Sequence, residues 1–197
     1  MGAIATIRLQ RKVASTEDIL ASMEASINSM DAPTDRVAQI IAEWERERPD
    51  LDLELAPQGV IGRLHRLAMH LTEDLVTVYR AFDLSEGEFD VLATLRRAGS
   101  PFERTPSGLA QSTMVTTGAM TKRIDRLEAR GLVTRRQSDA DGRGRVIALT
   151  PAGLELIDRA FTAHLANERR LLDEALSPAD AAALERLLTT WLAHYES

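Results

Sequence analysis

The sequence predicts a mainly α-helical protein with one small β-hairpin in its middle third. Three observations carry this reading. Apolar residues recur at helical spacing over most of the stretch from Asp35 to Tyr195. Helix-opening signals punctuate that stretch: Ser85 with Glu88, Thr105-Pro106, Thr150-Pro151 and Ser177-Pro178. Two short strand-like runs, 132–136 and 145–149, flank the turn signal Asp141-Gly142.

Taken in order, the first expected helix covers 15–30, with Ser15 as cap and Asp18 in the capping-box position. Asp31, Ala32 and Pro33 break it. The next runs over 35–48, where Val37, Ile40, Ile41 and Trp44 make an i, i+3, i+4, i+7 stripe and Pro49 ends it. A loop is expected over 51–58 and a long helix over 59–82. Ser85 and Glu88 form a capping box for a helix carrying Phe89, Leu92 and Leu95, which ends near Gly99. Thr105-Pro106 opens a short helix through Leu109 and Ala110. A turn follows over 112–115, and Thr116 caps a second helix that runs to Arg130 and stops at Gly131. After the hairpin, Thr150-Pro151 opens a long helix to about Ala175, and Ser177-Pro178 opens the last one.

Composition narrows the function classes. The chain of 197 residues is 44% hydrophobic and 27% charged, the balance of a folded soluble protein. No stretch approaches the roughly 20 apolar residues that span a bilayer. The basic residues Arg8, Arg11 and Lys12 precede no apolar run, so no signal peptide is read and a cytoplasmic location is expected. The absence of cysteine removes disulfides, thiolate catalysis and Cys-ligated zinc. Of four histidines only His65 and His70 are close, and five helical residues turn them about 140° apart, so no metal site is expected. No nucleophile-and-base pair and no glycine-rich phosphate loop marks an enzyme. No cofactor is expected.

Charge is unevenly distributed. The net charge is −6, yet residues 104–145 hold nine basic and four acidic side chains, a local +5 that leaves −11 elsewhere. A basic segment in an acidic chain is the footprint of a nucleic-acid surface. The helix before the hairpin divides into two faces. Met120, Ile124 and Leu127 fall at i, i+4 and i+7 and should pack inward, while Thr117, Gly118, Thr121 and Lys122 can face a groove. The expected DNA contacts are Thr116, Thr117, Gly118, Thr121, Lys122 and Arg126 on this helix, with Arg143 and Arg145 on the hairpin. The architecture is then a winged helix-turn-helix over 85–150. The segments 34–84 and 151–197 form a helical dimerisation lobe, and 1–33 is an arm. The last two helices carry broad apolar stripes, Leu154, Ile157, Phe161 and Leu165 on one and Leu184, Leu187, Leu188 and Trp191 on the other, which must be buried somewhere.

The run from Leu109-Ala110 through Met120-Thr-Lys-Arg-Ile-Asp-Arg-Leu-Glu-Ala-Arg-Gly-Leu-Val-Thr-Arg-Arg136, then Asp141-Gly-Arg143 and Ala148-Leu-Thr-Pro-Ala-Gly153, resembles the MarR family of bacterial regulators. The resemblance covers about Asp35 to the C-terminus. It implies a homodimer whose terminal helices interleave, two recognition helices on a pseudo-palindromic duplex site, and a wing-tip acid and arginine at Asp141 and Arg143. Met114 departs from the glycine often found in the turn, and Ala140 and Gly142 from a more arginine-rich wing. Trp44, Asp90, Arg123 and Arg135 resemble the ligand set of the urate-responsive branch, which also carries an extra N-terminal helix. That resemblance implies a small anionic aromatic or purine ligand that attenuates DNA binding, with Trp44 and Arg135 holding the anion and Asp90 and Arg123 relaying its effect. The alternative is an architectural DNA-binding protein without a ligand.

Overall fold

The computed structural model describes residues 35–50, 55–113, 117–137 and 145–196. The expected 15–30 helix, the Met114 turn, the Thr116 cap and the Asp141-Gly142 turn with Arg143 lie outside those residues. Two compact units divide the chain, Met1–Arg66 and Leu67–Ser197.

In the first unit, α1 spans Arg36–Glu47. Asp35 caps it by accepting a 2.9 Å hydrogen bond from the Ala38 amide, and its other carboxylate oxygen takes Arg63 Nε at 2.7 Å. Val37 is buried, and its methyl stands 3.0 Å from the place a Cβ would take at Gly62. Of the expected apolar stripe only Val37 is fully covered. Ile40 and Ile41 are half-buried, and Trp44 is 48% exposed. The next helix, α2, spans Ala56–Ala81 and crosses the unit boundary. It starts three residues before the expected Gly59. Pro57 lies in its first turn, where a missing N–H leaves no bond unmade.

The second unit holds the rest. The next helix, α3 (Glu86–Arg97), starts with both halves of the capping box. The Ser85 amide donates to Glu88 Oε2 at 2.9 Å, and the Glu88 amide donates to Ser85 Oγ at 3.4 Å. There follow β1 (Glu103–Arg104), α4 (Pro106–Ser112, capped by Thr105) and α5 (Thr117–Ala129). The chain continues through β2 (Val133–Gln137), β3 (Arg145–Leu149), α6 (Pro151–Ala175) and α7 (Pro178–Glu196). The architecture is mainly helical with a small antiparallel sheet of order β1-β3-β2, as the sequence predicts. Val133 pairs with Leu149 and Gln137 with Arg145. The two-residue β1, pairing Glu103 with Ala148, was not expected, since two residues carry no alternation to read.

Leu92 and Leu95 of α3, Leu109 of α4, Met120, Ile124 and Leu127 of α5, Ile147 of β3 and Ile157 of α6 are all buried in one core. The core therefore holds α5 from behind. Gly131, at φ +69°, turns the chain out of α5 as a C-terminal glycine does. The Leu132 carbonyl then accepts the Thr150 amide at 3.1 Å and its hydroxyl at 3.2 Å, which ties the end of α5 to the cap of α6. Among the described residues, no helix is long and apolar enough to cross a membrane, and no cluster of three metal-ligating side chains forms.

Candidate nucleic-acid interface

The inward face of α5 is the one expected: Met120, Ile124 and Leu127 are all buried. The opposite face is a continuous exposed stripe of Gly118, Thr121, Lys122 and Asp125, at i, i+3, i+4 and i+7. A Cβ at Gly118 would meet nothing within 4 Å, so the backbone there is open to close approach. Lys122 makes no ion pair among the described residues. Thr117 is the first residue of the helix. Thr116 and Arg143 lie outside the described residues. Arg145 is exposed at the start of β3, opposite Gln137.

Arg126, another of the expected DNA contacts, also has a partner within the protein. Its Nε donates to Glu88 Oε1 at 3.0 Å. Arg130 reaches the same carboxylate at 4.0 Å and Asp83 at 3.2 Å. The Glu88 side chain is only 9% exposed. Burial alone would push its carboxyl up, but hydrogen bonds from Ser85 and the charge of Arg126 outweigh that and hold it below its ordinary value. One carboxylate thus caps α3 and meets Arg126 of α5 and Arg130 just beyond its end. The capping box was readable in the sequence, whereas this second role depends on the packing of α3 against α5.

Arg135, the expected ligand arginine on β2, is bound to both Asp125 and Glu128 of α5. The hydrogen bond it donates to Asp125 is the main cause of its raised pKa. Neighbouring Arg136 pairs with Glu103 of β1. The hairpin root is therefore pinned to α5 on one side and to β1 on the other.

The charge of Arg123 on α5 acts on Asp90 of α3, with no hydrogen bond between the two side chains. Burial and then the charge of Glu86 push the Asp90 carboxyl up, while Arg123, Arg97 and His164 pull it back. Arg123 is half-buried, and its Nη1 is buried without a hydrogen-bond acceptor. Beside Asp90, Tyr79 stacks on Phe89 at 4.2 Å, and its hydroxyl lies 3.3 Å from His164 Nδ1. Burial and the charges of Asp90, Glu86 and Glu168 push that hydroxyl up to about 12. Of the four expected ligand residues, Asp90, Arg123 and Arg135 lie in the second unit and Trp44 in the first.

The family model described as MarR family matches residues 82–144, from just before α3 through α5 and β2. The HTH-type transcriptional regulator PecS of Dickeya dadantii is 41% identical over 136 residues, covering 69% of this chain and 81% of that protein. The chain belongs to the MarR family. The multiple antibiotic resistance protein MarR of Salmonella typhimurium is 30% identical over 140 residues, 71% of this MarR-family chain and 93% of the relative. Among solved structures, a single-site mutant of MarR from E. coli complexed with operator DNA superposes with a TM-score of 0.60 at 26% identity, covering 72% and 99% of the two chains. AbsC, a MarR family transcriptional regulator from Streptomyces coelicolor, gives a TM-score of 0.60 at 27% identity, covering 74% and 96%. PecS and AbsC are transcriptional regulators.

Proposed function

We propose that this protein is a homodimeric, sequence-specific DNA-binding regulator, a repressor located in the cytoplasm, whose hold on its operator is weakened by a small anionic aromatic ligand such as urate. The observation that carries the DNA-binding reading is the exposed Gly118-Thr121-Lys122 stripe on a helix whose other face is core. Small and hydroxyl side chains allow a helix to enter a major groove, and a lysine can meet a phosphate or a base edge. Thr116, Thr117, Arg143 and exposed Arg145 are assigned to the same DNA contact by their place in the sequence. Arg126, paired with Glu88 and still 59% exposed, is assigned to it as well. The domain assignment follows: 85–150 binds DNA, and 34–84 with 151–197 form the dimer lobe. Exposed Leu187, Leu188, Trp191 and Leu192 on α7 support a second copy as the partner of that lobe.

In the ligand reading Trp44 and Arg135 hold the anion, and Asp90 and Arg123 relay its effect. A half-exposed indole offers an aromatic wall, and a guanidinium bonds a planar anion in a bidentate way. An anion near Asp90 repels a carboxylate already disfavoured by burial and Glu86, and the disturbance passes to Arg123 on α5. DNA and ligand then bind antagonistically, and the coupling is reciprocal.

Fluorescence anisotropy on DNA from the region upstream of the gene tests both parts. Tight, salt-sensitive binding is expected, followed by release on urate addition. Trp44→Ala with Arg135→Ala should keep the dimer and lose the release. Release that survives in the double variant would place the ligand elsewhere. One observation favours the ligand-independent architectural reading: Arg135 already has Asp125 and Glu128 as partners. DNA binding indifferent to urate and to other purines and aromatic acids would select it.

A further inference from the structure

We propose that Gly87 is a positioning residue: its missing side chain is the seat in which the Arg123 guanidinium lies, and this seat fixes the arginine's charge beside Asp90. Gly87 is the second residue of α3 and is buried. Its backbone does not adopt the left-handed conformation that calls for glycine. Helices favour almost any other residue over glycine, alanine by up to about 1 kcal/mol. The reason for a glycine here lies in space rather than in backbone angle. A Cβ at Gly87 would overlap Cζ and Nε of Arg123 and stand 2.6 Å from Nη2. The guanidinium therefore rests against the first turn of α3.

That placement has a consequence three residues on. Asp90 follows Gly87 at i+3, on the same side of the helix. The charged groups acting on Asp90 are Glu86, Arg97, Arg123 and His164. Only Arg123 among them comes from α5. The obstruction at Gly87 is the end of a flexible side chain, so an added methyl displaces the guanidinium rather than the helix. Arg123 Nη1 is already buried without an acceptor, so no hydrogen bond at that atom resists the displacement. The seat stands on this geometry alone. Its regulatory part rests on the Asp90–Arg123 relay proposed above.

The test follows the Asp90 side-chain carboxyl by ¹³C NMR titration in the full-length protein, Gly87→Ala, Arg123→Ala and the double variant. Gly87→Ala and Arg123→Ala should each shift the Asp90 midpoint upward, and the double variant should shift no further than Arg123→Ala alone. An unmoved midpoint in Gly87→Ala, or a shift that adds to that of Arg123→Ala, overturns the seat. Should Gly87→Ala fail to fold while the double variant folds, the collision with Arg123 is upheld. Failure of both to fold shows that the glycine serves the backbone, and the proposal is lost. Urate-driven release of DNA, measured on the same proteins, separates the two ideas. If Arg123→Ala releases DNA as the unmodified protein does while the titrations behave as expected, the relay fails and the seat stands.

Discussion

Glu88 and Asp90 stand two residues apart on α3, and their surroundings drive them in opposite directions. Glu88 is held below its ordinary value, so its contribution to stability is complete above about 4.5 and drains away as pH falls through its lowered folded value. Asp90 is pushed up, so its ionised form opposes folding at neutral pH and acidification relieves it. Glu88→Gln should lower Tm at pH 7 by roughly 4–8 °C, from about 2 kcal/mol for a buried charged hydrogen-bond network, whereas Asp90→Asn should raise it. Calorimetry across pH 3–8 checks both, and the two differences from the unmodified protein should shrink toward the acid end. Lys122→Ala is expected to weaken DNA binding and to flatten the plot of log affinity against log salt by about 0.9, the loss of one phosphate contact. An unchanged slope takes Lys122 off the phosphates. At this scale the sequence was informative where partners are local. The Ser85–Glu88 box and the inward Met120, Ile124 and Leu127 follow from spacing. The partners of Arg126 and Arg135 do not, because a charged side chain on a helix or strand reads as solvated until another element supplies its counter-charge.

At the scale of elements, the junction of α5, β2 and α6 explains part of the Leu-Thr-Pro-Ala-Gly run. Thr150 caps α6 by accepting from the Gly153 amide at 3.0 Å, and it also binds the Leu132 carbonyl. A Cβ at Gly153 would overlap that carbonyl oxygen and stand 2.9 Å from its carbon. Backbone cannot swing aside as a long side chain does. Gly153→Ala should therefore cost about 2 kcal/mol, a Tm loss of roughly 4–8 °C, despite the better helix propensity of alanine. A Tm equal to or above that of the unmodified protein would show that the junction can open. Helices α3, α4, α6 and α7 are legible from their opening signals, and α5 from its periodicity. The start of α2 is not, because Pro57 reads as punctuation although it lies in a first turn, which accepts one. The strand β1 has too few residues to show a pattern, and only its pairing with β3 makes it a strand.

For the whole molecule, the apolar stripes of the last two helices have separate fates. Ile157 and Ala160 enter the core, while Phe161, Leu165 and Leu172 of α6 remain exposed, and no residue of α7 is buried. Exposed leucines at this density call for a covering surface. Leu188→Glu with Leu192→Glu should convert a dimer to monomer in analytical ultracentrifugation and reduce operator affinity by more than about tenfold, since two linked half-site contacts become one. A variant that still sediments as a dimer would place the subunit contact on other helices. The terminal stripes were visible in the sequence, but periodicity cannot say which part of a stripe faces inward and which faces a second chain. The shared carboxylate at the start of α3 bears on motion at this largest scale. Turning either α3 or α5 alone would part Glu88 from Arg126 and Arg130 and leave a nearly buried carboxylate without counter-ions, so the two helices are coupled. A disturbance that reaches Asp90 on α3 is accordingly felt by α5 through two links, Arg123 and the Glu88 carboxylate.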